Sequence, residues 1–175
     1  MDNILNTIYS RKSVRSFIDK EIEEEKVEKL LKAAMAAPSA MNKQPWEFIV
    51  IDDSDTLEKL GSIKKGAAMV KDCSLAIVVC GNLKKTGEIY NNDYWIQDCS
   101  AATENILLSA HSMKLGAVWT EVYNSKLELV AKVRQILSLP EHIVPLNTIA
   151  IGYPNTLNEE SNVKYSKDKI HYNQW

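Results

Sequence analysis

The longest helical pattern in the sequence, from Tyr94 to Lys114, is apolar on almost every side. Its apolar residues cover much of the helix circumference and include Cys99, Ala101, Ala102, Ile106, Leu107, Leu108 and Ala110. A surface helix keeps one polar face, whereas a helix that is apolar nearly all round must be enclosed by other elements or by a second subunit. The sequence therefore predicts a central helix with several covered sides.

Helices and strands are mixed around this segment without strict alternation. Periodicity predicts further helices over about 2–9, 23–36 and 54–63 and from 127 to near 140. It predicts strands over 48–51, 75–79 and 144–151, a strand or crossover over 116–119, and a turn at 152–154. Such mixing indicates an α+β fold in which helices cover a sheet. With 175 residues and no linker or repeat, we expect a single domain over 1–175.

The overall composition excludes several classes of function. A net charge of −2 gives no broad attraction to nucleic acid or anionic lipid. We expect no membrane association and a cytoplasmic location, because the apolar runs are short and the N-terminus does not resemble a secretory signal. We predict buried thiols and no metal site from the spacing of the cysteines and histidines, Cys73, Cys80, Cys99, His111, His142 and His171.

Two of the three arginines in the chain stand four residues apart, at Arg11 and Arg15. A guanidinium grips two phosphate oxygens at once, whereas an ammonium acts as a point charge. In an extended segment Arg11, Ser13 and Arg15 would share one face and form a phosphate-binding cup. The alternative is a helix surface on which the two arginines are merely solvated.

A second motif runs from Pro38 to Trp46, between a predicted helix and a predicted strand. It contains two prolines, a serine, an asparagine and a glutamine, which favour an ordered loop with its own backbone geometry. Within it, Gln44 could be only a satisfied loop amide and Trp46 only a core aromatic.

Together the two motifs, Arg-x-Ser-x-Arg and Pro-Ser-x-x-Asn-x-Gln-Pro-Trp, resemble the FMN-dependent nitroreductase family. The resemblance continues in order through 115–121, 149–154 and 169–171. It implies a nitroreductase-like fold with a mostly antiparallel central sheet covered by helices. It also implies a homodimer in which a C-terminal arm, residues 155–175, embraces the partner subunit.

The resemblance implies the following site residues. The phosphate and the ribityl or ring-edge oxygens of FMN would be held by Arg11, Ser13 and Arg15. Lys12 would also bind the cofactor, and Lys164 stands at a position where the family usually carries arginine. The flavin ring would be reached from the partner subunit by Pro38, Ser39, Ala40 and Asn42. The ring would also be flanked by Trp119, Thr120 and Glu121, with the Glu121 backbone N–H directed at N5. No side chain is expected to act as a catalytic acid, base or nucleophile. A substrate lid is expected to include Tyr94 and Trp95, together with the neighbouring Tyr90.

The activity implied is an FMN-dependent NAD(P)H oxidoreductase. Hydride from NADH or NADPH would reach an electron-poor small molecule, such as a nitroaromatic or a quinone, by a ping-pong mechanism. Two alternatives stay open at this point. One is a flavin-binding carrier or sensor without turnover, and the other is a reductive dehalogenase on the same fold.

Overall fold

A computed structural model describes residues 3–86, 93–124, 127–156 and 163–175. Its helices are α1 (Asn3–Ser10), α2 (Glu24–Met35), α3 (Ser54–Ser62), α4 (Leu83–Thr86), α5 (Tyr94–Ser112) and α6 (Glu128–Leu137). Its strands are β1 (Phe17–Ile18), β2 (Trp46–Ile51), β3 (Leu75–Asn82), β4 (Gly116–Glu121) and β5 (Ile143–Pro154). Three 3-10 segments lie at Ala40–Asn42, Lys65–Asp72 and Lys167–Lys169.

The sheet has five strands, and β5 is its centre. It pairs with β3, with β4 and, at its far end, with β1, while β2 lies on the outer side of β3. Every one of these strand pairs is antiparallel. Antiparallel pairing and helices on the sheet confirm the predicted α+β class.

Alternate residues of the strands feed two cores, one on each face of the sheet. Ile77 and Val79 of β3 pack with α2 and α5, whereas Val78 and Cys80 pack with α3 and α6. This division follows from the two-residue period of a strand. It accounts for the unbroken apolar run of β3, which is buried on both faces.

The predicted central helix is α5. The side of α5 toward the sheet and α2 is fully buried, with Cys99, Ala102, Ile106 and Ala110 in the core. Leu108, on another side, is only half-buried in this chain. All three cysteines are free and buried, as predicted.

The predicted turn at 152–154 is wrong, because β5 continues as a strand to Pro154. Its last residues pair with β1, through Phe17 opposite Pro154 and Ile18 opposite Tyr153. Strand β1 was not predicted, since a strand of two residues leaves no periodic pattern. Only this long-range pairing extends β5 past Gly152.

Tyr153 also ties this end of β5 to the start of α2. Its hydroxyl donates to both Glu23 carboxylate oxygens, at 2.8 and 2.6 Å, and accepts from Lys26 Nζ at 2.6 Å. The hydrogen bond from Tyr153, with help from Lys26, lowers the pKa of Glu23 to about 2. The ionised carboxylate therefore stabilises this junction.

No helix within the described ranges is long and apolar enough to span a membrane.

Candidate active site

Arg11 closes the last turn of α1, with its N–H donating to the Thr7 carbonyl at 3.0 Å, and the residues that follow it run across the end of the sheet. Ser13 forms an isolated parallel bridge with Ala117, and the N–H of Val14 donates to the Ala117 carbonyl at 3.0 Å. Val14 packs inwards, whereas Ser13 and Arg15 are exposed. This alternation excludes the helical alternative and leaves the hydroxyl and the Arg15 guanidinium on the outer face.

Two glycines allow this segment to lie close to the sheet. A Cβ at Gly116 would meet Val14 Cγ1 at 2.6 Å, and one at Gly152 would meet Phe17 Cδ1 at 2.9 Å. Real Cβ atoms essentially never approach other heavy atoms this closely. Because these two residues have no side chain, Val14 packs directly on the backbone of β4 and Phe17 directly on the backbone of β5.

The two arginines stand in different surroundings. Arg11 has a side chain 26% exposed, and its Nε lies 3.5 Å from Oε1 of Glu104 on α5. Arg15 makes no hydrogen bond or ion pair with any side chain in the described ranges. Arg15 thus presents its full fork to solvent, while Arg11 is held near the sheet by a partly exposed carboxylate.

Beyond Ala117, one edge of β4 lacks a partner strand among the described residues. The Ala117 carbonyl points away from β5, toward Val14, and backbone groups of a strand repeat their direction every second residue. Trp119 and Glu121 therefore also direct their N–H groups away from β5. An open edge that carries backbone donors is a ready surface for a hydrogen-bonding ligand.

At the C-terminal end of this β4 edge, Lys64 binds Glu121. Lys64 Nζ donates to the Glu121 carbonyl at 2.5 Å and lies 3.4 Å from Glu121 Oε2. Trp119 is 44% exposed on this strand, whereas Thr120 is buried and its Oγ1 has no partner in the described part of the chain. The edge thus runs from two guanidiniums at one end to an ammonium at the other.

The second motif forms a loop of unusual backbone geometry. Met41, Asn42 and Gln44 have φ values of 51°, 54° and 47°. Non-glycine residues in this left-handed region cost roughly 1–3 kcal/mol each and cluster at functional sites. Gln44 makes its hydrogen bonds within the loop. Its backbone N–H donates to Ser39 Oγ at 2.9 Å, and its side-chain amide donates to Asn42 Oδ1 at 3.0 Å.

A buried carboxylate on α5 anchors this loop. Asp98 Oδ1 accepts from the Ala40 N–H at 2.9 Å, and Asp98 is almost fully buried. Sequence reasoning assigned Asp98 no such role, because the contact joins positions 58 apart. Trp46 is buried at the start of β2, so it is a core aromatic, as the sequence analysis allowed.

The structure does not join the two motifs within one chain. Among the described residues no hydrogen bond or ion pair links 38–42 to 11–15, since the first motif contacts α5 at Glu104 and the second at Asp98. Six helical residues separate these anchors by about 9 Å along the axis.

Of the residues expected in the substrate lid, Trp95 lies in the core. Trp95 is 3% exposed, with its ring under Gly81 and edge-on to Tyr123 at a centroid distance of 5.0 Å. This core position removes Trp95 from any surface lid, while Tyr94 is 44% exposed. Tyr90 lies outside the described residues.

The C-terminal segment, residues 163–175, lies almost entirely exposed. Lys164 is exposed, and no hydrogen bond or ion pair joins it to the described residues. The segment carries large apolar side chains that remain in solvent, namely Val163, Tyr165, Ile170, Tyr172 and Trp175.

Comparison with known proteins identifies the family to which these features belong. The profile described as "Nitroreductase family" matches residues 8–72 and 62–153. A protein of Archaeoglobus fulgidus, provisionally named NADH dehydrogenase/NAD(P)H nitroreductase, is 42% identical over 177 residues that cover all of both chains.

Two solved structures share the fold. A protein of Parabacteroides distasonis with the same provisional name has a TM-score of 0.92 and 44% identity, with full coverage of both chains. An FMN-dependent nitroreductase of Clostridium difficile has a TM-score of 0.87 and 32% identity, covering 98% of this chain and 99% of the other. The chain described here therefore belongs to the nitroreductase family.

Proposed function

We propose that this protein is an FMN-dependent NAD(P)H oxidoreductase whose flavin lies along the open edge of β4. FMN and NAD(P)H are the cofactor and reductant named for its relatives. The proposal depends most on one observation, which is the unpartnered β4 edge with the Arg11–Arg15 segment crossing its start.

The chemistry of this edge fits FMN. The crossing segment offers the Arg15 and Arg11 guanidiniums and the Ser13 hydroxyl, which suit a doubly charged phosphate. From Ala117 to Glu121 the strand rises about 14 Å, and its outward N–H groups suit the acceptor atoms along a polar ring. Lys12 and Lys164 would add positive charge near the phosphate.

Bound FMN supplies the redox chemistry, accepting hydride from NADH or NADPH and passing reducing equivalents to an acceptor. The chain's own groups bind and orient the cofactor. The outward N–H groups of Trp119 and Glu121 would hold the flavin ring, and the guanidiniums at the start of the edge would favour the added negative charge. No titratable side chain needs to transfer a proton at a defined atom.

We further propose ping-pong kinetics with small, flat, electron-poor acceptors such as nitroaromatics or quinones. One exposed ring face would serve both reductant and acceptor in turn. The exposed aromatic rings of Trp119 and Tyr94 suit contact with flat substrates.

A homodimer would complete the site. The Pro38–Asn42 loop and the first motif remain apart in one chain, and residues 163–175 leave their apolar side chains uncovered. Exposed apolar residues on α1, Ile4, Leu5 and Ile8, add to this unburied surface. We propose that the tail over 155–175 packs on a second copy, whose loop then approaches the β4 edge.

The direct test is spectroscopic. Purified protein supplied with FMN is expected to be yellow after removal of unbound flavin, and anaerobic NADH or NADPH is expected to bleach it. Colour without bleaching by either nucleotide would support a flavin-binding carrier instead. Bleaching followed by reoxidation only with halogenated aromatics would support the dehalogenase alternative.

The phosphate assignment can be tested with matched arginine variants. Arg15→Ala should fold normally and retain much less FMN, since a charged hydrogen bond contributes about 1.5–3 kcal/mol. Arg134→Ala is the control, because this third arginine donates to the Pro140 carbonyl at 2.9 Å, at the end of α6. Equal FMN retention in the two variants would contradict the assignment.

A further inference from the structure

Lys64 contacts the end of β4 from a position 57 residues earlier in the chain. Its ammonium donates to the Glu121 carbonyl at 2.5 Å and lies 3.4 Å from the carboxylate of the same residue. Building on the proposed flavin site, we propose that Lys64 is a positioning residue for the cofactor-binding edge. It fixes the peptide that follows Glu121 and neutralises the Glu121 carboxylate beside the flavin.

The backbone at this point needs an additional restraint. The Val122 and Tyr123 N–H groups both donate to the Leu146 carbonyl, at 3.1 and 2.9 Å, so regular pairing ends here. The peptide between Glu121 and Val122 is held on one side by Leu146 and on the other by Lys64. Two opposed hydrogen bonds prevent its rotation.

This restraint lies next to the group that faces the ligand. The Glu121 N–H belongs to the adjoining Thr120–Glu121 peptide, and the two peptides share the Glu121 Cα atom, so a fixed Glu121–Val122 peptide fixes the path of the chain directly after this donor. Without Lys64, a single bond to Leu146 would hold the last ordered peptide of β4. Lys64 thus acts through Glu121 and need not touch the flavin.

The charge of Lys64 serves the same edge. An unpaired Glu121 carboxylate would repel a phosphate-bearing cofactor and disfavour its more negative, reduced form. The Lys64 side chain is 24% exposed and the Glu121 side chain 57% exposed, so solvent partly screens the attraction between their charges. The pair therefore leaves the edge without net negative charge.

Lys64→Met should weaken FMN binding about tenfold, as a lost charged hydrogen bond would. It should also shift the two-electron reduction potential of the bound flavin to more negative values. The shift is about 30 mV if the affinity for reduced flavin, relative to that for oxidised flavin, falls tenfold. Lys64→Arg should recover most of both losses. Lys59→Met is the matched control. It removes the same charge from the protein, but Lys59 lines the groove between α3 and α6 and makes no hydrogen bond or ion pair with Glu121 among the described residues.

Flavin fluorescence titration gives the dissociation constant, and anaerobic titration against a redox dye gives the potential. A Lys64→Met protein that matches the wild type in both quantities would overturn the inference. Wild-type protein that binds no FMN would instead overturn the proposed function. Lys64→Gln replaces the methionine variant if thermal unfolding shows that the latter does not fold.

A second variant separates the two parts of the inference. Adding Glu121→Gln to Lys64→Met removes the uncompensated charge, so the potential should return toward the wild-type value. Amide exchange at Val122 should remain faster than in the wild type, because the peptide still lacks its second hydrogen bond. A potential that does not recover would refute the neutralising role, and unchanged Val122 exchange would refute the positioning role.

Discussion

Replacing Gly116 with alanine tests whether the close crossing of residues 11–16 over β4 is required for cofactor binding. The new Cβ would lie 2.6 Å from Val14 Cγ1 and 2.8 Å from Val14 Cβ. Because Val14 Cβ is fixed to the backbone, a rotamer change cannot relieve this contact, and the segment itself must move.

The expected size of the effect follows from this geometry. Overpacking of a well-packed site costs about 1–3 kcal/mol. Movement of the segment also strains the hydrogen bond from the Val14 N–H to the Ala117 carbonyl, now 3.0 Å long. We expect destabilisation of about 1–3 kcal/mol, which lowers the melting temperature by roughly 2–4 °C for each kcal/mol in a chain of this size.

Thermal unfolding of the flavin-free protein at fixed concentration measures the stability change without linkage to the ligand. Flavin titration then measures binding, which should weaken about tenfold because Ser13 and Arg15 move with Val14. Gly66→Ala is the control, since a Cβ there meets no heavy atom within 4 Å. It should stay within about 1 kcal/mol of the wild type.

Wild-type stability and wild-type FMN affinity in Gly116→Ala would refute this reasoning. Loss of stability with unchanged FMN affinity would show that the crossing segment supports the fold but does not hold the phosphate.

Three further predictions follow from individual contacts. Glu104→Gln should strengthen FMN binding by up to about fivefold, since it releases Arg11 from a partly exposed ion pair worth at most about 1 kcal/mol; flavin titration checks this. Tyr153→Phe should lose stability relative to the wild type at neutral pH. Because the folded pKa of Glu23, about 2, lies below its ordinary value of 4.5, that difference should shrink as pH falls from 4.5 toward 2 in acid-unfolding curves. A thiol reagent at pH 8 should modify no cysteine in the native protein and three after denaturation, because burial raises the pKa of all three thiols, Cys73, Cys80 and Cys99.

Much of this protein could be predicted from local sequence. The periodicity of α2, α5 and the apolar run of β3 placed the main elements, because each pattern depends only on neighbours a few residues away. The spacing of Arg11, Ser13 and Arg15 left two possibilities, an extended segment with one polar face or a solvated helix surface, and the bridge of Ser13 to Ala117 decided for the first. The long second motif pointed to the family, which comparison confirmed.

The remaining features depend on contacts between distant positions, which no local pattern encodes. Pairing of Phe17 with Pro154 makes residues 152–154 part of a strand, where a turn was predicted. Packing of Trp95 against Gly81 places this ring in the core, where a surface lid was predicted. Glu104 pairs with Arg11, and Lys64 contacts Glu121 at the end of β4, only because α5 and the chain after α3 come close to residues distant in sequence. Sequence alone determined the charge of each segment and predicted which segments form the proposed site. Tertiary packing decided which edge of the sheet stays open and what holds its backbone, since these properties arise only when strands and helices distant in sequence come together.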